Sequence, residues 1–147
     1  MNDFMIKNWN TVASNEDTVF VVGDFFDFNH CTKEETADVL KQLNGHITLI
    51  SGNHDVGNLV ELRNLGVEVI PYPIVKDNFW ILSHEPMYVS ENSPYANIFA
   101  HVHNNPIYKT VSSRSFCVSA ERIGYTPILL KEGYQRVQAC AQIKERG

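Results

Sequence analysis

Leu49–Asn58 reads LISGNHDVGN, and the fold turns on how this stretch is interpreted. An apolar run, Ile47–Ile50, stops at Ser51-Gly52 and is followed at once by Asn53-His54-Asp55. Gly, Asn and Asp all suit turns, but His does not. A buried strand that ends on consecutive polar side chains is therefore doing more than reversing the chain. The pattern recurs: "GDFFD" (Gly23–Asp27) follows the apolar run Thr18–Val22, "SHEP" (Ser83–Pro86) follows Phe79–Leu82, and "HVH" (His101–His103) follows Asn97–Ala100.

Outward from these strand ends, the chain alternates strand and helix and then turns to strands. Residues 2–13 predict a helix with Phe4, Met5, Trp9 and Val12 on one face. Thr32-Lys33-Glu34-Glu35 is a capping box opening a helix through Leu43, which Asn44-Gly45 stops. Asn58 and Glu61 predict the cap of a further helix, with Leu59, Leu62 and Leu65 inward and Gly66 after its end. Beyond it, "VEVIPYPIV", "FWILSHEP", "NIFAHVHN", "RSFCVSAE" and "TPILL" predict short strands. This order predicts an α/β protein with a mixed sheet, or two packed sheets, and helices outside.

Composition narrows the function. The 147 residues fit one domain, 1–147, with an ordinary 44% apolar and 20% charged content. No apolar stretch matches a membrane span, and no basic segment followed by an apolar one opens the chain, so neither a membrane partner nor a signal peptide is expected. Cys31, Cys117 and Cys140 form no close pair, which predicts reduced thiols and a cytoplasmic setting. A net charge of −5 argues against non-specific nucleic-acid binding, which needs a basic surface.

In open α/β sheets, sites gather beyond the carboxyl ends of the strands. Asp24, Asn53, His84, His101 and His103 all lie there, and their oxygens and imidazole nitrogens are donors suited to a divalent cation. On extended chain His101 and His103 point to one side. The same residues taken singly would read as caps or solvated loop positions. Phe25, Phe26 and Phe28, around Asp24 and Asp27, predict core packing. His30 and His46 predict loop and strand-start positions, and Arg114 and Arg122 solvated surface.

The ordered set GDFFD, GNHD, SHEP and HVH resembles the signature blocks of the calcineurin-like metallophosphoesterase superfamily, from about Thr18 to Asn104. The resemblance implies a two-layer αββα sandwich of mixed sheets with flanking helices. It implies metal-dependent hydrolysis of a phosphate mono- or diester by an activated hydroxide. By that likeness Asp24 bridges two metals, Asn53, His84 and His101 complete one position, and His103 belongs to the other. His54 becomes the catalytic histidine and Asp27 its orienting partner. Mn, Fe, Ni and Zn all suit such donors.

The family pattern also opens with a strand ending in Asp-x-His, and no Asp-x-His occurs in these 147 residues. The resemblance thus implies a domain short at its N-terminus, with the first family strand missing, one well-liganded metal site and a second incomplete one. It leaves a second reading, that of a degenerate member acting as a metal- or phosphate-binding or protein-interaction module without efficient catalysis. An absent inner strand should expose a neighbouring strand edge, to be covered by the tail after Leu130 or, as we favour, by a second copy of the chain.

Overall fold

The computed structural model describes residues 3–26, 29–53, 55–100, 113–119, 123–124 and 126–132. Helix α1 spans Asp3–Val12 and leads into strand β1, Thr18–Val21. Helix α2 covers Lys33–Gln42 and strand β2 His46–Ile50. A short 3-10 turn, Val56–Asn58, precedes α3, Leu59–Asn64, and strand β3, Glu68–Ile70. Four strands follow: β4 Ile74–Lys76, β5 Trp80–Leu82, β6 Ala96–Phe99 and β7 Ser115–Cys117.

These strands form two sheets. The first has the order β1-β2-β3 and is entirely parallel. The second has the order β4-β5-β6-β7, antiparallel between β4 and β5 and parallel thereafter. The expected strand "VEVIPYPIV" is therefore two strands in two sheets. Pro71 and Pro73 account for the break, since proline cannot donate to a ladder. The chain crosses from one sheet to the other through Pro71-Tyr72-Pro73.

Two apolar clusters hold the layers. Ile6 and Trp9 of α1, Leu43 after α2, Leu62 of α3, and Ile47 and Leu49 of β2 pack as a helix-on-sheet layer. Val22, Ile50, Trp80, Leu82, Ala96 and Ile98 form a second cluster, joined by Phe20, Ile70 and Ile74, where the two sheets meet. Alternation along β2 divides the labour: Ile47 and Leu49 face the helices, and Ile50 faces the other sheet. A strand covered on both sides needs apolar residues on both faces, and this is why Ile47–Ile50 lacks a clean alternation in the sequence.

The helix ends follow local chemistry. The Thr32 hydroxyl accepts from the Glu35 N–H while the Glu35 carboxylate accepts from the Thr32 N–H, closing the expected capping box. Asn58 makes no side-chain cap to α3, and Leu65, at the end of that helix, is exposed rather than inward. The helix is short: α3 has six residues and only Leu62 is fully buried in the core. "TPILL" does not form a strand. Residues 126–129 are irregular, with no N–H at Pro127 to enter a ladder, and residue 130 opens a helical turn.

The outer edge of β1 pairs with no strand among the described residues. A cavity of about 580 Å³ lies along it, walled by Met5 and Trp9 of α1, Val19 and Val21 of β1, and Val118 and Ile128 from the far end of the chain. Among the described residues no helix is long and apolar enough to cross a membrane.

Burial sets the energetic hierarchy. Leu49 is 0% exposed in the middle of β2, whereas Val75 on β4 is 55% exposed. Leu49→Ala should lower stability by about 2–5 kcal/mol and Val75→Ala by less than about 0.5 kcal/mol, read by urea denaturation. Equal losses at the two positions would contradict this layering.

Candidate functional site

The turns after β1 and β2 meet at two glycines. Gly23 has φ +94°, and a Cβ there would overlap the His84 ring. A Cβ on Gly52 would collide with the Asp24 carboxylate and backbone. Both positions need glycine because the backbones and side chains approach more closely than a methyl group permits. Asp24, next in line, has φ +51°, a left-handed conformation that costs a non-glycine residue about 1–2 kcal/mol. Such strain persists only where the surroundings hold it.

What holds it is Asp55, fully buried at the end of the quoted stretch. Its Oδ2 accepts the N–H of Asp24 at 2.6 Å and of Gly52 at 2.8 Å, and its Oδ1 accepts the N–H of Phe25 at 3.1 Å. Burial pushes the Asp55 carboxyl above the usual carboxylate range and the neighbouring Asp24 charge adds to this, while the three N–H donors pull the other way. Asp55 also turns the chain, its N–H donating to the Gly52 carbonyl at 3.1 Å and its carbonyl accepting from Asn58 at 2.8 Å.

His84 enters from the second sheet, just after β5. Its Nδ1 lies 2.8 Å from the Val22 carbonyl. A carbonyl only accepts, so Nδ1 carries the proton of that bond and Nε2 faces the site. Nε2 stands 2.9 Å from Asn53 Oδ1 and 3.2 Å from Asp24 Oδ2. With the ring neutral, three lone pairs are directed at one small volume, and they repel unless a proton or a cation lies among them. Two hard oxygens and one imidazole nitrogen are a fitting donor set for a divalent cation. His84 is buried, Asp24 half-buried and Asn53 exposed, so the point of convergence opens to solvent on the Asn53 side.

A second buried polar group fixes the His84 loop. Asn97, 0% exposed in the middle of β6, donates to the Ile81 carbonyl and the Ser83 hydroxyl, both at 2.8 Å, and accepts the Met87 N–H at 2.9 Å. Ser83 in turn donates to the Glu85 carbonyl at 2.7 Å. The His84 carbonyl accepts from Ala100 at 3.0 Å, which ties this loop to the end of β6.

Of the residues singled out in the sequence, Asp24, Asn53 and His84 come together as described. Asp27, His54, His101 and His103 lie outside the described residues. Among the described residues no group of three or more His, Cys, Asp and Glu side chains is placed to hold a metal; Asp24 and His84 converge with the amide of Asn53 as the third donor. Phe25 and Phe26 pack in the helix-side core, with Phe25 stacked 6.1 Å from Trp9, in keeping with a structural role. Sequence reasoning missed Asp55 and Asn97. An Asn inside the apolar run Ala96–Phe99 was the available signal for one. Asp55 was hidden by its resemblance to an ordinary turn residue.

Comparison with known proteins concerns the chain as a whole. The family model of the calcineurin-like phosphoesterases matches residues 3–139. An uncharacterised protein of Methanocaldococcus jannaschii, MJ1445, is 28% identical over 134 residues, covering 88% of this chain and 71% of that protein. The crystal structure of AQ665, a protein of unknown function from Aquifex aeolicus, superposes with a TM-score of 0.66 at 24% identity, over 90% of this chain and 82% of that one. Nuclease MPE of Pseudomonas putida superposes with a TM-score of 0.53 at 22% identity, over 69% of this chain and 52% of its own. The strand-end motifs, the paired sheets with helices outside, and a family match running through nearly the whole sequence lead to one conclusion: this chain belongs to the calcineurin-like phosphoesterase family.

Proposed function

We propose that this protein hydrolyses a phosphate mono- or diester with the aid of divalent metal, through a site built on Asp24, Asn53 and His84. The observation that carries the reading is the convergence of Asp24 Oδ2, Asn53 Oδ1 and His84 Nε2. Family membership supports the reaction class. In this reading His101 joins these three around one cation, and Asp24 with His103 contributes to a second. His54 protonates the leaving oxygen, oriented by Asp27.

A divalent cation held there would polarise a phosphoryl oxygen and acidify water near neutral pH. The protein's own contributions are distinct. His84 presents Nε2 because Val22 holds the proton on Nδ1. The left-handed turn at Asp24 brings its carboxylate toward the His84 ring. Asn53 stands on the solvent side with a neutral oxygen, adding a ligand without adding charge. The reading extends to a manganese-supported phosphodiesterase acting in the cytoplasm. It also includes self-association through the outer edge of β1, which is favoured by the absence of a strand partner there among the described residues.

Equilibrium dialysis against Mn²⁺ should show binding that His84→Ala weakens at least tenfold. Unchanged affinity in that variant would remove His84 from the ligand set. With an aryl phosphodiester and Mn²⁺, His54→Ala should reduce the rate by about 10²–10⁴, and an unaltered rate would mean that the activity arises elsewhere. Sedimentation at micromolar concentration should reveal a dimer; a monomer at every concentration would refute pairing through β1.

A further inference from the structure

We infer that Asp55 is the positioning residue of this site: its buried carboxylate sets the geometry of Asp24 and Asn53 without touching substrate. The inference rests on the metal-site reading above, but its evidence is separate. One carboxylate gathers three backbone N–H groups from two turns, those of Asp24, Phe25 and Gly52. Two of these donors are consecutive residues that follow β1, and the third lies beside Asn53 after β2. The two turns belong to neighbouring parallel strands, yet the β1–β2 ladder ends at Val21↔Leu49. Beyond that point the sheet no longer fixes their relative position, and Asp55 replaces the missing ladder bonds.

The requirement for a carboxylate is specific. Asp24 N–H and Gly52 N–H both point at Oδ2, and Phe25 N–H points at Oδ1. An ionised carboxylate accepts on both oxygens. An asparagine offers one accepting oxygen, and its amide group would turn N–H toward N–H on the other side. Asp24 sits at φ +51°, so releasing its N–H removes the bond that opposes return to an ordinary backbone conformation. That return would swing the carboxylate away from His84 Nε2. Asp55 is also 0% exposed, so no water can substitute for it without opening the core.

The test separates positioning from bulk stability. Asp55→Asn is compared with Leu43→Ala, a variant of a buried residue after α2 in the helix-side core. Each is measured for Mn²⁺ affinity by equilibrium dialysis and for unfolding by urea. The expected result is a Kd for Mn²⁺ raised about 10–100-fold in Asp55→Asn, the range for groups that orient metal ligands. Leu43→Ala should lose stability yet keep its Kd within about twofold. Equal affinity in Asp55→Asn and the parent, or an equal loss in Leu43→Ala, overturns the inference.

Amide hydrogen exchange on the parent protein provides a second arm, and it applies even if Asp55→Asn does not fold. The Asp24, Phe25 and Gly52 amides should exchange at least a hundredfold more slowly than the amides of the exposed Asp77-Asn78 turn. Exchange as fast as in that turn overturns the inference. A parent that binds no Mn²⁺ but protects these three amides would refute the metal reading and leave the Asp55 clamp standing.

Discussion

The constraint on which this structure depends is an absence of side chains. Gly23 and Gly52 let two strand-end turns and the His84 ring occupy a space that a single methyl group would fill. Everything at the site follows from that approach. Asp24 can reach His84 only because Gly23 lets the ring in, and Asp55 can reach the Asp24 N–H only because Gly52 lets the second turn close. The apolar contacts of Val22 and Ile50 with Leu82 and Ile98 then press the two sheets together behind the site. Burial of this kind contributes roughly 25 cal/mol per Å² of apolar surface, but it has no direction. The glycines and the buried carboxylate convert a non-directional pressure into a fixed arrangement of donors.

Two buried polar residues divide the task of holding the loops. Asp55 joins the turns of the first sheet, and Asn97 organises the loop that carries His84 in the second. Each satisfies several backbone or hydroxyl groups that burial would otherwise leave unpaired at about 1–3 kcal/mol apiece. Polar groups in such positions are demanding, because a partly satisfied network is worse than an apolar core. They lie beneath the candidate ligands, and among the described residues every buried side-chain polar atom has a hydrogen-bond partner.

Much of this was legible in the sequence. The capping box at Thr32, the strand-end motifs and the alternation of helix and strand each express local chemistry, and local chemistry survives folding. Asp24, Asn53 and His84 were singled out because apolar runs ended on oxygen and nitrogen donors in an order that resembles a family pattern, and the structure brings the three together. Other features depended on distant partners. Nothing near Asn97 in the chain signals that Met87 and Ser83 will need it. Asp55 reads as a turn former until the Asp24 and Phe25 amides, about thirty residues away, are brought beside it. The split at Pro71-Tyr72-Pro73 was visible as two prolines, but the assignment of the flanking strands to different sheets is a tertiary choice. Leu65 fits a helical stripe, and only the shortness of α3 places it outside the core.

The crossing at Pro71-Tyr72-Pro73 has a thermodynamic consequence. It divides the molecule into a front half, which supplies Asp24, Asn53 and Asp55, and a rear half, which supplies His84. Any cation or anion held jointly by the two halves is a ligand for their association as well as for the site. Occupancy at a hundred times the dissociation constant adds about 2.7 kcal/mol to the state in which the halves are docked. For a ligand held in that way, binding and the docking of the two sheets would be linked equilibria, and a perturbation of the sheet interface far from any donor atom would be felt as a change in affinity.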